Sequence, residues 1–317
     1  MKFFSSALVL SALQFVAAIP SSHLAKRATV NDVATLGYAT LNGGTRGGSG
    51  GPVTTVTSLD ALNDAVQGND PKIVIISGVI TGDDVVRIGS NTTVLGARGS
   101  ALQGVGLRVL NEQNVIIRNV NISKVLASAG DAIGVQASHQ VWIDHAELSS
   151  DRDHDKDFYD GLLDITHGVT GITVTNSKLY THWKCSLIGH SDNNGAEDVA
   201  ITVTMASNWW FNLNSRTPSF RFGHGHIFNN VFDDNNDGIN TRDGAQLLVE
   251  NNVWTGTDKP LYETDEGFAV ARGNDFGGAE NTAPVGTFTT APYSYSLIAT
   301  DDVRSAVTPG AGQTLDF

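Results

Sequence analysis

From Lys72 onward the chain alternates short Val- and Ile-rich runs with Gly, Asn and Asp, and apolar residues almost never recur at helical spacing. The runs include KIVIISGVI, NVIIRNVNI, QVWIDHAEL, GITVTNSKL, AQLLVENNVW and GFAVARGNDF. A helix is expected only at Leu59 to Ala65. Several runs end alike: Asn230, Asn252 and Asn274 are 22 residues apart, and Phe232, Trp254 and Phe276 follow each by two. Earlier units are longer, with Asn119, His145 and Asn176 at separations of 26 and 31.

A period near 22 residues, with about three short strands in each repeat, predicts a solenoid whose coils stack edge to edge. The fold class expected is all-β, a right-handed parallel β-helix, because a β-sandwich would not need a recurring Asn-x-aromatic corner. Asn at one corner of successive coils suits left-handed backbone and bonding to the Asn above. The surplus residues of the longer units must leave the coil as loops, and loops on a rigid rod are where a site is built.

The N-terminus reads as targeting sequence. Lys2 precedes an apolar run from Phe3 to Ala18 that is too short to stay in a bilayer. A signal peptide is expected over residues 1–18 and a propeptide over 19–27, ending at Lys26-Arg27. The mature chain, 28–317, is then one catalytic domain of 290 residues without a linker, and it is expected to be secreted, extracellular and monomeric. Cys185 is the only cysteine, so the core must stabilise an exported chain without an intramolecular disulfide. In a secreted chain Asn91-Thr92-Thr93 and Asn121-Ile122-Ser123 are glycosylation sequons.

Net charge excludes one class of partner. The formal charge of −13 falls to −16 without Lys2, Lys26 and Arg27, which argues against nucleic acid. An acidic protein still binds an acidic polymer where local cations or a bound metal reverse the potential.

The densest acidic stretch runs from Asp151 to Asp164. Asp151 to Asp157 reads as a solvated loop. Asp164 differs, because it sits in the apolar run Leu162-Leu163-Asp164-Ile165, where a lone carboxylate is expensive to bury. In a straight strand Asp160 and Asp164 would stand about 13 Å apart, and Gly161 permits a corner that brings them closer. Asp131 begins an apolar strand one coil earlier. Three oxygen-donating carboxylates without His or Cys favour a hard cation such as Ca2+. The same residues also suit the acid/base pair of a glycoside hydrolase, and composition leaves both readings open.

Cations lie further along. Arg216 and Arg221 flank Pro218, which bends the chain so that both guanidinium groups need not point apart, and Lys184 interrupts an apolar segment one coil earlier. His145, His190, His224 and His226 read as structural hydrogen-bonding residues, Trp142 as packing, and Cys185 as a small buried hydrophobe.

These residues in order resemble the polysaccharide lyase family of pectate and pectin lyases, within it the short fungal pectate lyases. The resemblance rests on Val141-Trp142-Ile143-Asp144-His145, Asp160-Gly161-Leu162-Leu163-Asp164-Ile165, Lys184, and Arg216-Thr217-Pro218-Ser219-Phe220-Arg221. It implies a calcium-dependent pectate lyase that cuts pectate (polygalacturonate) by β-elimination. It further implies Asp131, Asp160 and Asp164 as calcium ligands, Lys184 and Arg221 as holders of substrate carboxylate, and Arg216 as the catalytic base. Ala129 departs from relatives that carry another Asp there. The acidic pair Asp160 and Asp164, which pectin lyases lack, favours pectate over the methyl ester. No nucleic acid or membrane partner is implied.

Overall fold

The computed structural model describes residues 28–317; the signal peptide and propeptide expected over 1–27 lie outside the described residues. Every strand ladder is parallel, and successive coils pair with their neighbours, as in a parallel β-helix. One face is a ten-stranded sheet running from Val53–Val56 to Phe268–Arg272. The other two faces are joined through the long strand Ala101–Leu110, whose first half pairs with Asn121–Ser123 and whose second half pairs with Ile133–Gln136. The second face continues through Glu147–Ser149, Lys178–Lys184, Trp209–Ser215, Val231–Asp233 and Val253–Thr255. The third continues through Leu163–Thr166, Leu187–Ile188, Ser219–Arg221, Ile239–Arg242 and Leu261–Thr264.

Strand alternation sends one set of side chains into the lumen. Ile122, Leu148, Leu179, Trp210, Phe232 and Trp254 occupy one register position on the second face and are fully buried. The aromatic members stack, with centroids 5.7 Å apart for Trp210–Phe232, 4.6 Å for Phe232–Trp254 and 5.2 Å for Trp254–Phe276. The recurring aromatic in the sequence is therefore an interior column, and each such ring contributes roughly 1.5–3 kcal/mol by leaving water.

The asparagine corner divides its work between two adjacent residues. Left-handed backbone falls on Asn119, His145, Asn176, Asn229 and Asn251, with φ between 48° and 56°. The bonding column lies one residue later. Asn208, Asn230 and Asn252 each donate a backbone N–H to the Oδ1 of the asparagine in the next coil, at 2.9 Å. Expectation combined both roles in Asn230, Asn252 and Asn274. The structure separates them, because a side chain that accepts from the coil below must project inward while the turn residue before it faces out.

The predicted helix forms at Leu59–Ala65, where Ser58 Oγ accepts from Ala61 N–H and buried Leu62 joins the core. Two further helices, Gly195–Asp198 and Thr300–Val307, were not expected; Val303 and Val307 of the latter pack on Val231 and Val253 of the second face. Among the described residues no helix is long and apolar enough to cross a membrane.

Candidate active site

The third face, the loops entering it and the adjoining end of a second-face strand carry the predicted site residues. Asp131 precedes Ile133–Gln136, Asp160 precedes Leu163–Thr166, and Asp164 lies within that strand, opposite Gly134 of the coil before. Two loops, 124–132 and 150–162, lead from the second face to this edge and take up surplus residues of the longer units.

Asp131 and Asp164 are buried, 7% and 9% exposed, and converge on Gly161. A Cβ at Gly161 would stand 2.4 Å from Asp164 Oδ1 and 2.9 Å from Asp131 Oδ1. Gly161 itself is not in the left-handed region. Without a side chain, it leaves space for the two carboxylates. Gly161 N–H donates to Asp131 Oδ1 at 3.0 Å, and Leu187 N–H donates to Asp164 Oδ1 at 2.9 Å. Burial, then the charge of Asp160, pushes Asp131 up to about 6. Burial and the charge of Asp131 push Asp164 well above the usual carboxylate range. Asp160 stands off from the pair: its carboxylate is 42% exposed, with Oδ1 3.6 Å from Lys184 Nζ.

Among the described residues no three His, Cys, Asp or Glu side chains close into a metal-sized cluster. The donor set nevertheless fits a hard cation. All three groups offer oxygen, two are crowded and mutually repelling, and neither buried carboxylate has an ion-pair partner within 4.0 Å among the described residues. A cation among them would relieve the repulsion that raises Asp131 and Asp164.

The cations line the same edge. Lys184 ends strand Lys178–Lys184 in register with Ser215, which directly precedes Arg216. Its side chain is 18% exposed and meets Asp157 Oδ1 at 3.0 Å. Arg216 takes φ 61° just before the cis Thr217-Pro218 bond. It makes no ion pair within 4.0 Å among the described residues, while its charge acts on both Asp131 and Asp164. Arg221 closes strand Ser219–Arg221 and pairs through Nε with Asp192 at 2.5 Å and Asp243 at 3.3 Å. The structure thus brings Asp131, Asp160, Asp164, Lys184 and Arg216 to one side of the rod, with Arg221 along the same face.

Three further residues escaped the sequence reading. His182 is buried; Nε2 donates to the carbonyl of Asp160 and Nδ1 lies 2.6 Å from Ser150 Oγ, and burial pulls the ring down to about 4. It pins Asp160 through its backbone. Arg108 lies in the same outward column as Gly134 and Asp164, and its Nε is buried without a partner. Arg242 pairs in register with Arg221 and extends the cationic strip. Its only sequence signal is a position one repeat after Arg221. The loop 151–157 is also less idle than expected, since Asp151 joins His154, Lys124 and Tyr159 and is held well below the usual range despite the cost of its burial.

Two of the remaining histidines, His145 and His226, make structural contacts. His145 Nδ1 lies 2.7 Å from Asp144 Oδ2 at a corner remote from the site, and buried His226 bridges Tyr293 and Glu250. Cys185 is fully buried, and Trp142 packs with Ala39 and Ile116.

Comparison with known proteins places the chain in a family. The family model described as pectate lyase matches residues 11–315. A probable pectate lyase A of Aspergillus niger is 55% identical over 98% of this chain and 96% of its own length. Pectate lyase A of Emericella nidulans is 56% identical, over 94% and 91%. Among solved structures, a Bacillus pectate lyase in complex with trigalacturonate is 32% identical with a TM-score of 0.79, covering 88% of this chain and 98% of that one. A Bacillus subtilis pectate lyase at 19% identity and TM-score 0.80 shares the fold, over 91% and 100%. On a parallel β-helix that brings the acidic residues, the lysine and the two arginines to one side of the rod, these matches establish that the chain belongs to the pectate lyase family.

Proposed function

We propose that the chain is a secreted, calcium-dependent pectate lyase that cleaves α-1,4-linked galacturonan by β-elimination and leaves unsaturated non-reducing ends. The observation that carries this reading is the convergence of Asp131 and Asp164 on Gly161, with the charge of Arg216 acting on both. Asp131, Asp160 and Asp164 would hold calcium, which when bound supplies positive charge to the substrate carboxylate and so acidifies the neighbouring C5 proton. Lys184 and Arg221 hold galacturonate carboxylates and stabilise the negative charge that grows as the proton leaves. Arg216 takes that proton at a guanidine nitrogen, the C5–H pair forms the C4–C5 double bond, and the bridging oxygen leaves with the C4–O pair and takes a proton from water. A guanidine accepts a proton only in its neutral form, which alkaline assays favour. Secretion through the Met1–Arg27 leader, glycans at Asn91 and Asn121 and a monomeric state belong to the same proposal. Product analysis tests it. Ultraviolet-absorbing unsaturated ends from pectate, lost on exhaustive chelation and restored by calcium, are expected. Saturated reducing ends alone would overturn the lyase reaction, and full activity after chelation would overturn the calcium requirement.

A further inference from the structure

Arg221 and Arg242 lie side by side in strand register, 12% and 18% exposed. Between them sits one carboxylate oxygen, Asp192 Oδ1, 2.5 Å from Arg221 Nε and 3.2 Å from Arg242 Nη2. Asp192 is 61% exposed on a turn outside the strands. The foot of that turn is pinned, since His190 N–H donates to buried Asp198 and Asn194 N–H to the carbonyl of Ser191. A single oxygen shared by two guanidinium groups leaves donors unfilled: Arg221 Nη1 and Arg242 Nε are buried without hydrogen-bond partners. The other acidic neighbours are Asp243, beside Arg221, and Asp265, beside Arg242. A planar guanidinium is better matched by a carboxylate that spans its fork than by one shared oxygen. Lys184 repeats the pattern, capped at 3.0 Å by Asp157, whose side chain is 66% exposed.

We infer that Asp192 is an exchangeable counter-ion in the groove, which a substrate carboxylate must displace from Arg221 and Arg242 and which a methyl ester cannot replace. The inference rests on the substrate class proposed above. A galacturonate carboxylate exchanges one ionic partner for another. An ester displaces a charge and returns a neutral acceptor, leaving two largely buried cations underpaired, which is the costlier arrangement. Asp192 thus weakens binding of every substrate somewhat and of esterified substrate more, sharpening selectivity for the free acid. The alternative is that Asp192 merely holds the two arginines in position.

The sign of one substitution separates these roles. Asp192→Asn retains the shape and hydrogen-bonding capacity of the side chain but removes its charge. As an exchangeable counter-ion, it predicts a KM for pectate roughly two- to fivefold lower at low salt, as expected for one partly exposed ion pair. That gain shrinks with added salt, while kcat is unchanged. The ratio of kcat/KM for pectate to that for highly methylated pectin narrows, and calorimetry with trigalacturonate shows tighter binding. A KM that is unchanged or raised, or a ratio that does not narrow, overturns the inference and leaves Asp192 a positioning residue. Asp192→Ala gives the same readout should the Asn variant fold poorly. A wild-type protein that yields no unsaturated ends would refute the underlying lyase reading, whatever Asp192 does.

Discussion

Gly161→Ala is the sharpest perturbation of the acidic pair. The added Cβ would stand 2.4 Å from Asp164 Oδ1, 2.8 Å from its Cγ and 2.9 Å from Asp131 Oδ1, where ordinary contact begins near 3.4 Å. The Asp164 carboxylate must retreat by about 1 Å, yet it is buried and its Oδ1 is fixed by Leu187 N–H at 2.9 Å. Inserting a methyl group into such a packed site costs roughly 1–3 kcal/mol. If the carboxylates absorb the displacement, half-saturating calcium rises by about 5- to 150-fold, at 1.4 kcal/mol per decade. The assay is formation of unsaturated product against calcium concentration, with thermal unfolding in chelator alongside to report the apo fold. The expected result is a right-shifted calcium curve with kcat largely restored at saturation. A folded variant whose half-saturation stays within about twofold of wild type would refute the argument that these two carboxylates share one ion.

Two further outcomes follow from the geometry. Arg216→Lys keeps the charge but loses the planar fork, so kcat falls by about 10²–10⁴ while half-saturating calcium is unchanged; a defect that fades at saturating pectate would make Arg216 a binding residue only. His226 is buried, and burial outweighs the pull of Glu250 and lowers its ring to about 4. The unfolded chain therefore binds a proton between about pH 4 and 6.5 that the folded ring refuses, so stability rises with pH across that window and is complete above it. Replacing His226 with Asn should remove about 1.4 kcal/mol of stability change per pH unit there, measured by urea unfolding at pH 4.5 to 6.5, and an unaltered pH slope would contradict the burial argument.

What the amino-acid sequence determined by itself was the coil. Asn and aromatic residues at a spacing of 22, short β-branched runs and the near-absence of helical periodicity specify a solenoid, because each repeat must bury the same small interior. Asp164 stood out for a related reason: a carboxylate inside an apolar strand needs compensation wherever the strand is placed. Register between coils of unequal length was not legible, and the rest of the site depends on it. Only stacking placed Asp131 beside Asp164 across Gly161, Arg242 beside Arg221, and Asp192 over both. The same holds for the one-residue division of the asparagine corner and for the two ends of the chain, where Tyr38 and Tyr293 meet over Thr204. A repeat fixes which residues face inward, since that is a local property of strand alternation. Which outward residues become neighbours depends on how many residues each loop spends between coils, and that is decided only when the whole rod packs.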